Sequence, residues 1–327
     1  MRQLLGSVVE AMEATPLVEL QRLQKHLGLD GRILAKLDYL MPGMSKKDRA
    51  ARAIIEAARE SGELAKGQTV VELTSGNMGT GLAIVCGIYG HPFVAVMSAG
   101  KSVERRRMMN ALGAEVVLVP QSPGSTPGSV SGADLGLVEA EAQRQTKERN
   151  AFRADQFQRD ENPRAHFDGT GPEIWQQSGG IVTAFCDLVG SAGTLGGVAR
   201  YLSPHGVKCF AIEPQGAEAL AMGDISQPDH PIQGGGYLMA DLPHLDQAPT
   251  NGVLTVKGAE AAAAARLLAL HEGIFAGFSS GANLAAAVQL LRGPEAGGTV
   301  AIIMCDSGLK YLSTDLWGKP ESEQSDG

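Results

Sequence analysis

Short β-branched runs alternate with longer helix-periodic stretches along most of the chain. The run TVVEL, residues 69–73, reads as a strand and leads into a helical pattern through LAIVCGIYG. PFVAVMS reads as the next strand, VERRRMMNALG as a helix stopped by Gly113, and EVVLVP as a further strand. A second series begins near Phe157. There AFCDLVG, VKCFAIE, NGVLTV and GTVAIIMC read as strands, separated by alanine-rich helices such as AEAAAAARLLALHEG. Such alternation predicts parallel sheet with helices on both faces. The expected fold class is α/β, with two doubly wound domains on mostly parallel central sheets. Residues 44–152 are expected to form a smaller N-terminal domain, and residues 1–43 with 153–327 a larger one. The run GRILAKLDYL is another strand, and the pattern leaves open which sheet it joins. Residues 120–136, rich in Pro, Gly and Ser, are long for an internal connection and read as functional or mobile.

The stretch PGMSKKDR places two lysines side by side at a helix start. Ser45 followed by Asp48 fits a capping signature, and the helix is predicted over residues 46–61 with Gly62 as its stop. Ala50, Ala51, Ile54, Ile55 and Ala58 follow Lys47 at helical spacing and form the inward stripe. Lys47 heads that stripe. Lys46 lies about 100° away, on the side of Arg49 and Glu56, and is expected in solvent, where its replacement should matter little. Burial and the helix N-terminus both disfavour an ammonium on Lys47, which favours the neutral amine that attacks carbonyls. A lysine at a helix end can equally snorkel to water.

The case for chemistry comes from three glycine-bearing loops placed between strand and helix patterns, where ligands bind in open α/β sheets. They span residues 74–81 (TSGNMGTG), 190–197 (GSAGTLGG) and 279–283 (SSGAN). Each one alone also reads as an ordinary cap or β–α turn. GSAGT offers successive backbone N–H groups and two hydroxyls, as a phosphate cradle does. It has neither the P-loop lysine nor G-x-G-x-x-G spacing, so nucleoside triphosphate hydrolysis and dinucleotide binding find no support. TSGNMG suits a carboxylate or phenolate. Together, a neutral inward lysine, a phosphate cradle, a polar loop for an oxygen anion and a serine at a helix start describe a pyridoxal 5′-phosphate (PLP) site.

Composition narrows the partners. The 327 residues are 43% hydrophobic, as in a soluble globular protein. Lys and Arg number 28 against 36 Asp and Glu, a net charge of −8, which argues against nucleic acid or an anionic membrane as partner. The cluster at Arg105, Arg106 and Arg107 reads as a solvated helix face. Four cysteines lie far apart without a C-x-x-C pair and are expected to be reduced, in a cytoplasmic setting. The N-terminus lacks a signal-peptide core, and no apolar run is long enough to span a bilayer. The histidines show no metal-ligand spacing, so no metal is expected.

The segments ATPLVEL, PGMSKKDRAARAIIEAARESGEL, VELTSGNMGTGLA, ERRRMMNALGAEVVLV, QFQRDENPRAHFDGTGPEIW, GSAGTLGGVARYL, EGIFAGFSSGANLAAA and CDSGLKYLST resemble, in order, the cysteine synthase/cystathionine β-synthase family. The resemblance runs from about Thr15 to Thr314. It implies the fold-type II, tryptophan synthase β-like architecture, PLP as cofactor and a homodimer. It also implies β-replacement on an activated serine such as O-acetylserine, through an α-aminoacrylate, with a small nucleophile. Other nucleophiles (an amine or homocysteine), a serine/threonine dehydratase and a catalytically silent binding protein are the alternatives. By the same resemblance Lys47 is the Schiff-base lysine and Asn77 bonds the cofactor's phenolic oxygen. Gly190, Ser191, Ala192, Gly193 and Thr194 hold its phosphate, and Ser279 meets its ring nitrogen. Thr74, Ser75, Gly76, Met78 and Gln156 are placed at the substrate.

The sequence departs from the family pattern at several positions. Met44 stands where a second glycine is usual, Met78 where threonine is common, Ala192 at a glycine of the phosphate loop and Cys305 at a proline. Ala192 is tolerable in the phosphate loop if its φ is negative, since backbone N–H groups do the binding, and Met44 and Met78 are expected to add bulk near the substrate.

Overall fold

The computed structural model describes residues 4–74, 76–100, 103–122, 132–221, 225–226, 230–237, 241–246 and 248–318. In chain order the elements open with β1 (Leu17–Glu19), α1 (Gln21–Leu27), β2 (Arg32–Lys36), α2 (Lys47–Ser61), β3 (Val70–Leu73), α3 (Asn77–Tyr89) and β4 (Phe93–Ser98). Next come α4 (Val103–Ala111), β5 (Glu115–Val119), α5 (Gly132–Glu148), β6 (Phe152–Arg153), α6 (Glu161–Ala165), α7 (Gly171–Gln177) and β7 (Ala184–Leu188). The chain continues through α8 (Gly193–Leu202), β8 (Lys208–Pro214), β9 (Val253–Val256), α9 (Gly258–Leu267), α10 (Phe278–Leu291) and β10 (Thr299–Ile303).

The strands build two sheets. One has the order β1-β2-β10-β7-β8-β9, the other β5-β4-β3-β6. Every pairing is parallel except β1 with β2. The run GRILAKLDYL supplies β2, beside β10 in the six-stranded sheet. Its central strands are covered on both faces, which is why they read as continuous apolar runs. Successive residues still point to opposite sides. Val300 and Ile302 pack with α9 and α10, while Ala301 and Ile303 pack with α8. The four-stranded sheet repeats the scheme: Val70, Ala95 and Met97 face α2 and α3, and Val71, Val94 and Val96 face α5.

Helix α2 carries the predicted stripe inward, with Ala50, Ala51, Ile54, Ile55 and Ala58 all buried, and ends at Gly62 in the left-handed region. The arginine cluster on α4 does not behave as expected. Arg105 is buried, its guanidinium donating to the Tyr311 hydroxyl at 2.7 Å and lying 3.6 Å from the Asp306 carboxylate. Helix α4 packs against residues 308–311, so the face bearing Arg105 meets protein instead of water.

Among the described residues no helix is long and apolar enough to cross a membrane, and no cluster of His, Cys, Asp and Glu could hold a metal ion. All four cysteines are free and buried. Burial pushes the Cys86, Cys209 and Cys305 thiols up to about 12. In the native protein Cys86, Cys186 and Cys209 should react with an aromatic disulfide reagent only on the timescale of unfolding. Stopped-flow counting of released chromophore, before and after denaturant, checks this; a burst of more than one thiol without denaturant would contradict it.

Candidate active site

The carboxyl ends of both sheets face one cleft of about 900 Å³, counted out to its open mouth. It brings together Lys47 at the start of α2, Thr74, Asn77 and Met78 after β3, Gln156 after β6, the loop 190–194 after β7, and Ser279 on α10. Gly76 does not line it. It caps α3 at φ 124°, with the Arg105 side chain where a Cβ would stand. Ser75 lies outside the described residues, as do residues 123–131 of the long connection. The far end of that connection, from residue 132, forms the start of α5, whose Leu135 and Val138 reach the cleft.

The Lys47 amine stands 3.1 Å from the Ser191 hydroxyl. Burial depresses its pKa, and the neighbouring Lys46 charge adds to that; Asp187, Cys305 and Glu72 oppose them, leaving it at about 8. Lys46 corrects the expectation of a solvent-facing side chain. It is 8% exposed and pairs with the buried Asp187 carboxylate at 2.5 Å. Burial works against its ammonium, but Asp187 outweighs this and holds it charged above the usual lysine range. Arg49, on the same side of α2, is also buried, between Asp38 and Glu173. The helical wheel assigned that side to water because it counts only the faces of one helix. On that side the first turn of α2 is enclosed, Lys46 by Asp187 on β7 and Arg49 by Asp38 and Glu173.

Asn77 is held by partners of opposite kind. Its amide nitrogen donates to Asp306 at 2.7 Å, and its oxygen accepts from Lys310 at 2.8 Å. A donor-only ammonium and an acceptor-only carboxylate permit a single amide orientation, and one N–H remains for another acceptor. Lys310 is anchored by the Gly43 carbonyl at 2.8 Å. The Thr74 hydroxyl accepts the backbone N–H groups of Gly76 and Gly79 at 3.0 and 2.8 Å, which leaves its own proton to donate. Gln156 is less free. Its side-chain nitrogen makes long bonds to Glu72 and the Leu73 carbonyl, at 3.3 and 3.4 Å. Burial raises Glu72 to about 7 despite the opposing Arg153.

In the loop 190–194, Gly190 has no room for a side chain, because the Gly234 carbonyl occupies the place of a Cβ. Asn162 donates to the Ser191 hydroxyl at 3.0 Å. Thr194 faces the buried His166, which burial, followed by the charges of Arg49, Lys46 and Lys47, drives well below the usual histidine range and keeps neutral. Ala192 departs from expectation: its φ is +63°, since the turn into α8 needs a left-handed residue there. Met44 is likewise left-handed, at φ +55°. It does not line the cleft, whereas Met78 does while packing in the core. Cys305 lines the cleft beside Ser279, and Ser280 accepts its backbone N–H at 2.8 Å.

Sequence reasoning missed Glu72, Asp187, Asn162, Asn283 and Lys310. For Glu72 and Asp187 a signal existed: each is a charged residue inside a run that reads as a buried strand, and such charges stay buried only when paired. Nothing local marks Lys310, whose partners Gly43 and Asn77 lie 267 and 233 residues away, or Asn162, whose bond to Ser191 spans 29 residues.

The chain was compared with known proteins. The family model described as "Pyridoxal-phosphate dependent enzyme" matches residues 8–306. Cysteine synthase 3 of Caenorhabditis elegans is 39% identical over 315 residues, 95% of this chain and 89% of that one. Among solved structures, an O-ureido-L-serine synthase superposes with a TM-score of 0.86 at 33% identity, covering 98% of this chain and 99% of that one. O-acetyl serine sulfhydrylase isoform 3 from Entamoeba histolytica gives 0.86 at 33% identity, covering 98% and 93%.

A non-glycine residue in the left-handed region costs roughly 1–2 kcal/mol, offset in part by the greater freedom glycine gives the unfolded chain. Ala192→Gly should therefore raise unfolding stability by about 0.5–1 kcal/mol, measured by urea titration of the cofactor-free protein. Equal or lower stability in the variant would contradict the backbone assignment.

Proposed function

The chain belongs to the pyridoxal-phosphate dependent enzyme family, and on that premise we propose that it is a β-replacement enzyme. It exchanges the acetoxy group of O-acetylserine for a small sulfur nucleophile, as a cysteine synthase does. One juxtaposition supports this above the rest: an amine with its pKa at about 8 stands 3.1 Å from a hydroxyl of the N–H-lined loop 190–194.

The residues fit the cofactor piece by piece. Lys47 would hold its aldehyde carbon. The loop 190–194, closed by the N-terminus of α8, would cradle its phosphate. The spare N–H of Asn77 suits its ring oxygen, and the Ser279 hydroxyl its ring nitrogen. When bound, the cofactor supplies an electron-withdrawing ring that acidifies the α-hydrogen of the amino acid joined to it.

The rest falls to the chain's own groups. Lys47, an amine whose burial loosens its hold on a proton, would take the α-proton in its neutral form. The Thr74 hydroxyl and the N-terminus of α3 receive the substrate carboxylate. Gln156 can join them by giving up one of its long bonds. The Ser279 hydroxyl would donate a hydrogen bond to the ring nitrogen without keeping it protonated, as an aspartate would. That suits prompt loss of a β-substituent better than chemistry needing lasting negative charge at the α-carbon.

The acceptor side favours a small nucleophile. Leu135, Val138, Phe157 and Met78 form an apolar wall. Among the described lining residues the cations are Lys46 and Lys47, and Lys46 is already bound to Asp187. None is spare for an acceptor bearing a carboxylate, and sulfide needs none. A homodimer, a cytoplasmic setting suited to four free thiols, and closure of the unit 44–152 over the substrate belong to the same reading.

Purified protein loaded with PLP should convert O-acetylserine and sulfide to cysteine, read by mass spectrometry, and Lys47→Ala should lower the rate by about a thousandfold or more. Pyruvate formed without added nucleophile would favour the dehydratase instead, and no turnover of O-acetylserine, O-phosphoserine, serine or threonine would refute both. Lys310→Met frees the Asn77 amide to turn. It should weaken PLP binding by about tenfold, the value of one charge-assisted hydrogen bond, measured by fluorescence titration; unchanged affinity would remove Lys310 from this role.

A further inference from the structure

The Lys46–Asp187 pair takes no part in holding cofactor or substrate in the reading above, yet it lines the same cleft. Both side chains are nearly free of solvent, at 10% and 1% exposure, so their charges are weakly screened. The pair is also rigid. The Lys46 N–H donates to the Cys305 carbonyl at 2.8 Å, fixing the start of its side chain. One Asp187 oxygen accepts from the Asn283 amide at 2.9 Å, and the other takes Lys46. Asn283 is itself fixed by the Ile303 carbonyl and the Leu188 N–H.

The adjacent Lys47 amine is anchored only four residues further along the same strand and loop, on Ser191. Two neighbouring amines thus end on one short segment, one on a carboxylate and the other on a hydroxyl. We propose that Lys46 is a positioning residue for Lys47: a cation locked in place by Asp187 that repels a proton on the neighbouring amine. The proposal rests on the reading of Lys47 as the reactive amine.

The charged and titratable groups around Lys47 come from several elements: Lys46 on its own turn, Asp187 on β7, Glu72 on β3, Cys305 after β10, and the histidines 166 and 244. The thiol is raised to about 12 and the histidines are lowered, so these three are neutral at neutral pH. Glu72 sits near 7 and pulls in the opposite direction. After burial, Lys46 is the largest influence on Lys47, ahead of Asp187.

The test uses cofactor-free protein labelled with trace acetic anhydride from neutral to alkaline pH, with acetylation at residue 47 read by peptide mass spectrometry. The wild-type midpoint should lie near 8. Lys46→Met should raise it by about one pH unit, and Lys46→Arg should restore it. The double variant Lys46→Met/Asp187→Ala leaves no buried unpaired carboxylate. It should fall between wild type and the single variant, and it decides the matter alone if Lys46→Met does not fold. A purely structural role would lower stability and leave the midpoint unmoved, and that outcome overturns the proposal. Borohydride reduction of the PLP-loaded wild type separately tests the underlying reading: a pyridoxyl label on any residue other than Lys47 refutes it, whatever the acetylation profile.

Discussion

A short antiparallel contact between residues 44–46 and 305–307 is the seam on which the cleft is built. The Lys46 N–H bonds the Cys305 carbonyl, the Ser307 N–H bonds the Met44 carbonyl, and Ser45 bridges Asp306. Helix α2, which packs with the small sheet, therefore starts from the end of a strand of the large one. Lys47 follows directly, so its amine reaches the point where both sheets end. Met44 accepts a left-handed backbone inside this contact, a local cost that the surrounding hydrogen bonds sustain.

Charge is sorted around that seam. Lys36 and Arg49 share Glu173, Arg49 also meets Asp38, and Lys46 takes Asp187. Buried charges left unpaired are costly, so each ammonium or guanidinium here has its carboxylate. Lys47 instead meets a hydroxyl, which does not stabilise an added proton as a carboxylate does. The same economy fixes Asn77, caught between Asp306 and Lys310, and sets Gln156 against Glu72. Polar side chains that line the cleft are thus oriented by a layer of buried charges behind them, set at the strand ends.

That layer explains where sequence reading stopped. Strands, helices and the inward stripe of α2 were legible because they follow local periodicity. That Lys47, the loop 190–194 and the Asn77 loop line one cleft was legible because each belongs to a short contiguous motif at a helix start. Lys46 and Arg105 were misplaced because a helix viewed alone offers its polar side to water, and only the packed neighbour shows otherwise. Ala192 was misjudged because residue type biases φ without dictating it.

By itself, the sequence determined the order of strands and helices, the alternation that makes the sheets parallel, and the short motifs that meet in the cleft. These depend on side-chain period and on the chemistry of neighbours in the chain. Only the tertiary structure decided which charges face each other, since Lys46 and Asp187 are 141 residues apart, Asn77 and Lys310 are 233 apart, and Arg105 and Tyr311 are 206 apart. An ion pair is a matter of distance in space, and the two sheets bring these residues within bonding reach only when they meet at their carboxyl ends.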